Sequence, residues 1–339
     1  MSRLFLPPFF TKTRSYDTIY VKLMSLRAPQ GRSNLHPANW GLLPFDKLRT
    51  GGANSASRND TYPRERLGGG EMNELVFLKL GGSLITDKSR EATAREGVIR
   101  RTAREIKEAL ETRPDLRLLI GHGSGSFGHF VARRHGLLKE GPPNWRGYAE
   151  TGAAAARLNR LLTDTFLAEG VPVVSIQPSA SALCRDGELI SMATEPIELM
   201  LRYGLVPLVY GDVALDEVRG CTIISTEQIF AYLADPLEPA RIVLAGQVEG
   251  VFTADPLRDA SARLIPQISR QNFHQVEHKL AGSHGVDVTG GMLTKVRIMH
   301  ALVQKQPTLK VQLISGRRPG LIKRALLGPD LDEGTIIRR

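Results

Sequence analysis

The sequence predicts an α/β fold built on a mainly parallel sheet covered by helices on both faces. Three observations predict it. Strand and helix patterns alternate from Leu75 onward, several strands are short unbroken apolar runs, and glycine-rich turns stand where strands give way to helices.

Taken in order, Leu75–Leu80 reads as a buried strand, residues 93–111 as a long amphipathic helix, 116–120 as a strand and 148–169 as a second long helix rich in Ala. A strand at 171–176 follows. Residues 185–191 read as a hairpin, because Asp186 and Gly187 form a turn dipeptide between apolar runs. A helix is expected at 195–203 and a strand at Val206–Tyr210. The second half repeats the alternation, with strand 221–224, helix 226–234 and strand 241–245. Irregular chain is expected from there to a helix at 292–304, then strand 309–315, helix 320–327 and a last strand at 334–337. No internal repeat of 20–50 residues emerges, so one α/β domain of two lobes is the simplest organisation.

Residues 1–71 do not join this pattern. They lack periodicity, mix Pro7, Pro8, Pro29 and Pro37 with scattered Arg, and end in Gly68, Gly69 and Gly70. A targeting peptide would need an apolar core with a cleavage site, which this stretch lacks. Residues 68–71 immediately precede Met72 and would be encoded by purine-rich codons, as a bacterial ribosome-binding segment read in frame would be. The stretch is therefore expected to be a disordered or mis-called N-terminal extension, and the domain to occupy 72–339.

Composition narrows the function. The chain of 339 residues is 42% hydrophobic, enough for a sizeable core, and no run approaches the apolar length a membrane span needs. Its two cysteines, Cys184 and Cys221, are too few for a disulfide framework and point to a reducing, cytoplasmic setting. The net charge of +10 is uneven, since residues 1–71 carry eleven Lys/Arg against five Asp/Glu. What remains is mildly basic, as suits an enzyme that handles anions. No helix-turn-helix, zinc-ligand or aromatic-interleaved basic pattern is present, so nucleic acid is not an expected partner.

Three clusters carry the chemistry. Lys79, Gly81, Gly82 and Ser83 stand where the first strand turns toward a helix, the place where α/β sheets put ligands. Glycines there allow backbone N–H groups to approach a phosphate, and Lys79 adds a point charge. The run is not a Walker A loop. The second cluster, residues 121–129 (GHGSGSFGH), follows another strand and opens a helix. It formally contains GxGxxG, but a dinucleotide fold needs a prompt second strand ending in an acid, whereas Pro142 and Pro143 interrupt and a long helix follows. It suits a second, separate phosphate, with His129 as a side-chain donor. The third cluster is Asp287, Thr289, Gly290, Gly291, Met292 and Lys295, in which Gly291 starts a helix that carries Lys295 one turn on. Residues 250–256 (GVFTADP) follow a strand and could wall a nucleotide.

Together these motifs make the chain resemble the amino acid kinase superfamily and, within it, the isopentenyl phosphate kinases, over roughly 73–339. KLGGSLITDK from Lys79 to Lys88 and GHGSGSFGH ending at His129 carry most of the likeness. The segment Tyr210, Gly211, Asp212, Val213 looks like the acceptor side, while GVFTADP and DVTGGMLTK look like the nucleotide side. The resemblance implies a three-layer α/β/α sandwich, a homodimer, an acceptor lobe at about 72–215 and a nucleotide lobe at about 216–339. It implies that Lys79, Gly81, Gly82, Ser83, Ser124, Glu227, Gly291 and Lys295 bind ATP, carried with Mg²⁺. Lys88 would stabilise the phosphoryl group in transit, with Lys79 and His129 also catalytic. Gly123, His129 and Asp212 would hold the small phosphate substrate. Three positions depart from the family's habit: Ser124 stands for Gly, Glu227 for Asp, and Gln247 for the Asp that commonly opens the nucleotide loop.

The expected activity is ATP-dependent phosphorylation of isopentenyl phosphate. A phosphomonoester is already largely a dianion at neutral pH, so positioning and cations matter more than a general base. A phosphonate or carboxylate acceptor, or a nucleotide-binding regulator that lost turnover, stays open at this level.

Overall fold

The computed structural model describes residues 73–137, 141–256, 259–281, 291–328 and 331–339. The expected extension at 1–71, together with Asp287, Thr289 and Gly290, lies outside the described residues.

The chain opens with β1 (Leu75–Leu80), a short α1 (Gly82–Ile85) and α2 (Glu96–Thr112). Next come β2 (Arg117–His122), α3 (Gly125–Arg134), α4 (Trp145–Ala168) and β3 (Val173–Ser175). The predicted hairpin is β4 (Leu183–Arg185) and β5 (Glu188–Ser191). Asp186 and Gly187 both take positive φ at its turn, 51° and 85°, which sets the tight reversal. Then follow α5 (Glu195–Arg202), β6 (Val206–Tyr210), β7 (Asp212–Asp216), β8 (Gly220–Ile224) and α6 (Thr226–Leu237). The remainder is β9 (Arg241–Gly246), β10 (Val251–Phe252), β11 (Leu264–Ile265), β12 (Gln267–Ile268), α7 (Phe273–Ala281), α8 (Gly291–Lys305), β13 (Lys310–Ser315), α9 (Leu321–Leu327) and β14 (Thr335–Ile337).

Eight strands form the main sheet in the order β12-β14-β13-β9-β1-β2-β6-β3. All of its pairs are parallel except β13 with β14. β1 lies at the centre and every one of its residues is buried. Its side chains alternate between the faces: Leu75 and Phe77 join a core with Ile229, Phe230 and Leu233 of α6 and Val296 and Met299 of α8. Val76, Leu78 and Leu80 join the opposite core with Ile99 and Ile106 of α2, Leu158 and Leu162 of α4 and Ile322 of α9. This is the expected three-layer α/β/α sandwich. A second sheet, β5-β4-β7-β8, stands beside it, and β7 follows β6 after the single residue Gly211.

The structure corrects the expectation of irregular chain after β9, where β10, β11, β12 and α7 lie. The strands are two residues long, too short to show alternation. α7 buries only Val276 and Leu280, one turn apart. Helix starts also move. α2 begins at Glu96, because the backbone of Thr93 is held by Ser126 Oγ and Asp87 N, and α4 begins at Trp145, with Asn144 Oδ1 accepting from Gly147 N at 2.8 Å.

Candidate active site

The C-terminal ends of β1, β2 and β9 and the starts of α3, α6 and α8 surround one cavity of about 380 Å³. That volume falls within the range of small-molecule sites. Lys79, Gly81, Gly82, Ser83, Lys88, Gly123, Ser124, His129, Glu227, Gly291 and Lys295 all line it. Asp212 does not. It lines a much smaller cavity that shares His129 and Ser124 with the large one.

At the centre is a charge cluster. Lys79 Nζ and Lys295 Nζ lie 3.0 and 3.1 Å from the same oxygen, Oε1 of Glu227. Glu227 is 7% exposed. Burial pushes its carboxyl up, but the ammonium groups of Lys79 and Lys295 outweigh burial and hold it at about 2. It is therefore ionised throughout the physiological range, and each lysine is tethered rather than mobile. The local sequence explains the placement. Ser225 caps α6 by accepting from Gln228 N while Gln228 returns a bond to Ser225 N, which fixes Glu227 in the first turn. The Ser-x-x-Gln spacing of this capping box marks the helix start in the sequence itself.

The two glycine turns are packed on one another. A Cβ on Gly82 would lie 2.6 Å from Gly125 N, and one on Gly123 would lie 2.9 Å from Gly82 N, so backbone meets backbone with no room for side chains. The amides of Gly81 and Gly123 donate to Ala245 O at 2.9 Å and to Leu80 O at 3.1 Å. Those two N–H groups are thus engaged by strands. Ser126 N donates to Thr86 Oγ1 at 2.9 Å, which ties the start of α3 to the residue after α1.

Beneath the second turn, His122 is fully buried. With its proton on Nδ1, the ring donates to Gly123 O at 3.1 Å and accepts from Asn159 Nδ2 at 3.1 Å. It stacks on Tyr210 with centroids 5.4 Å apart. Burial and the nearby Lys79 push its pKa down to about 4, so it is neutral at neutral pH. Asn159 in turn accepts from Ser175 Oγ. On the other wall, Gln247 Nε2 donates to Ser83 O at 2.6 Å, joining the end of β9 to α1. Asp255 and Thr294, from the two nucleotide-side motifs, and Gln247 line the cavity as well, together with residues 223–226, which lie outside the motifs.

Comparison with known proteins places this geometry. The model of the amino acid kinase family matches residues 74–314. The isopentenyl phosphate kinase of Methanothermobacter thermautotrophicus is 37% identical over 272 residues, covering 78% of this chain and 98% of that one. The isopentenyl phosphate kinase of Methanocaldococcus jannaschii is 32% identical over 271 residues, with the same coverage. A solved structure of an isopentenyl phosphate kinase superposes with a TM-score of 0.66 at 34% identity, covering 78% of this chain and 99% of that one. The chain belongs to the amino acid kinase family and, within it, to the isopentenyl phosphate kinases.

Proposed function

We propose that this chain transfers the γ-phosphoryl group of ATP to isopentenyl phosphate, giving ADP and isopentenyl diphosphate for isoprenoid synthesis. The observation that carries this reading is one cavity lined both by the Lys79–Glu227–Lys295 cluster and by the turn that ends at His129.

In this reaction an oxygen of the acceptor phosphate forms the new bond to the γ-phosphorus while the bond from that phosphorus to the β,γ-bridging oxygen breaks. ADP leaves with the bridging oxygen. The acceptor has a second pKa of about 6 and needs no general base at neutral pH. The task is to hold two anions in line and offset their charge. In this reading Lys79 and Lys295, fixed by Glu227, take the ATP phosphates, and Gly81, Gly82, Ser83, Ser124 and Gly291 shape their seat. Lys88 acts on the group in transit, and His129 donates to the acceptor phosphate beside Gly123. Mg²⁺ travels with ATP and adds charge neutralisation there.

We extend the proposal to an acceptor lobe at about 72–215, a nucleotide lobe at about 216–339, a homodimer, and a cytoplasmic setting. The residues assigned to the acceptor, Gly123, His129 and Asp212, all fall in the first stretch, while those assigned to ATP divide between it and the second, which holds Glu227, Gly291 and Lys295. Among the described residues no helix is long and apolar enough to cross a membrane.

An ADP-release assay with isopentenyl phosphate, a phosphonate and a carboxylate tests the reaction. Turnover is expected with the phosphomonoester. Faster turnover with either other acceptor, or none with any, would replace this reading.

A further inference from the structure

The small cavity behind His129 sets a few polar groups among mostly apolar walls. Ser124, His129, Thr151 and Asp212 line it, together with Ala155 and Ile223. Its volume is about 10 Å³, the room of one water-sized group. Because Ser124, His129 and Ile223 line both cavities, the small one adjoins the end of the site assigned to the acceptor.

Thr151 is the informative residue. It is 4% exposed, and its Oγ1 has no hydrogen-bond partner among the described residues. A threonine inside a helix ordinarily satisfies itself on the carbonyl four residues back, as Thr163 and Thr165 do on this same helix, each at 2.8 Å. Thr151 makes no such bond. Beside it Asp212 is 2% exposed, and its two carboxylate oxygens accept from Ser179 N at 3.1 Å and Val213 N at 2.8 Å. The Ser179 side chain bonds the same carboxyl, which leaves it a lone pair for about one further donor. Ser124, which makes no side-chain cap bond to its own helix, adds a second hydroxyl to the same wall. An unpartnered hydroxyl and a carboxylate with spare acceptor capacity match a group that both accepts and donates.

We infer that this cavity is a hydroxyl-binding subsite, so that the acceptors include alkyl phosphates carrying a hydroxyl group on the chain. The inference rests on the proposed phosphoryl transfer to a phosphomonoester. The step itself is unchanged: the acceptor's phosphate oxygen bonds to the γ-phosphorus of ATP, the β,γ-bridge breaks, ADP leaves, and the hydroxyl keeps its proton. A purely hydrocarbon tail pressed into this cavity would leave Thr151 buried without a partner.

The test compares kcat/KM for isopentyl phosphate and hydroxyisopentyl phosphate, a pair that differs by one hydroxyl. In the unaltered chain the hydroxyl compound is expected to be used at least as well as the alkyl one. Thr151→Val, which keeps the shape and removes the hydroxyl, should lower the hydroxyl-to-alkyl ratio on the order of tenfold, and Thr151→Ser should largely restore it. An unaltered-chain ratio below roughly one tenth, or a ratio that Thr151→Val leaves unchanged, overturns the subsite. If Thr151→Val does not fold, the ratio of the unaltered chain decides alone. A chain that uses isopentenyl phosphate but fails this comparison loses only the subsite, whereas a chain that phosphorylates no phosphomonoester loses the proposed function itself.

Discussion

Lys79, at the end of the central strand, and Lys295, one turn into α8, converge on one oxygen of Glu227. The two residues are far apart in sequence, and without the carboxylate between them their charges would repel across the space proposed for the ATP phosphates. Glu227 therefore sets both their positions and their tolerance of one another.

Replacing Glu227 by Gln leaves two ammonium groups facing each other in a buried setting. The ligand-free protein is expected to lose roughly 3–5 kcal/mol, the usual cost of removing one partner from a buried ionic cluster. Added ATP should recover much of this, because its phosphates take the place of the missing charge. Melting curves with and without ATP check the point: a larger ATP-induced shift in Glu227→Gln than in the unaltered protein is expected, and an equal shift would count against the arrangement.

His122 predicts an acid-side loss of stability. Its folded pKa of about 4 lies below its ordinary 6.5, so the unfolded chain binds the extra proton first. The stability from keeping it neutral is full above 6.5 and falls as pH drops from there toward 4. Between pH 7 and pH 5 this amounts to roughly 2 kcal/mol. Chemical denaturation at the two pH values should show that slope, and His122→Asn should flatten it. The cluster at Glu227, held at about 2, loses its contribution only as pH falls below its ordinary 4.5 toward 2, outside this window.

Gln247 joins two segments of the cavity wall through its 2.6 Å bond to Ser83 O. A carboxylate at this position would set one acceptor against another. Gln247→Glu is expected to raise the KM for ATP several-fold while leaving the KM for the acceptor close to its original value. Steady-state kinetics with each substrate varied in turn would reveal whether the loss divides in this way.

The main sheet is legible because its strands are buried on both faces and read as apolar runs, as Val76, Phe77 and Leu78 do. Residues 246–256 and 259–281 are not legible in the same way, since two-residue strands and a helix with two buried side chains leave no periodic trace. The cavity-lining residues announce themselves through glycines at strand ends and lysines next to them. The contacts of Gln247 and His122, and the part played by Asn159, do not, because they arise across the fold: Asn159 lies in the middle of α4 and meets His122 only once that helix packs beneath the turn. The glycines are also a lesson in sequence reading. Gly82 and Gly123 are needed for the close approach of two turns, a requirement that no single motif displays.

The proposed roles of His129, Lys88 and Lys295 separate by the kind of loss each substitution causes. His129 lines the cavity from α3 and also the small polar cavity, on the acceptor side of the proposed site. His129→Ala should weaken acceptor binding and slow transfer, with a rate cost on the order of 10²- to 10³-fold by comparison with losing one preorganised donor elsewhere. Binding of ATP should hardly change. Lys295→Ala should instead weaken ATP binding, since it removes a charge that Glu227 holds in place. Lys88→Ala should mainly lower kcat, because a group directed at the moving phosphoryl acts most strongly in the transition state. His129→Gln is the control, as its amide can still donate but carries no positive charge. High activity in Gln with little in Ala means that donation suffices, whereas near-original activity in both removes His129 from the mechanism and directs the search for the acceptor's donor to the remaining groups around the turn.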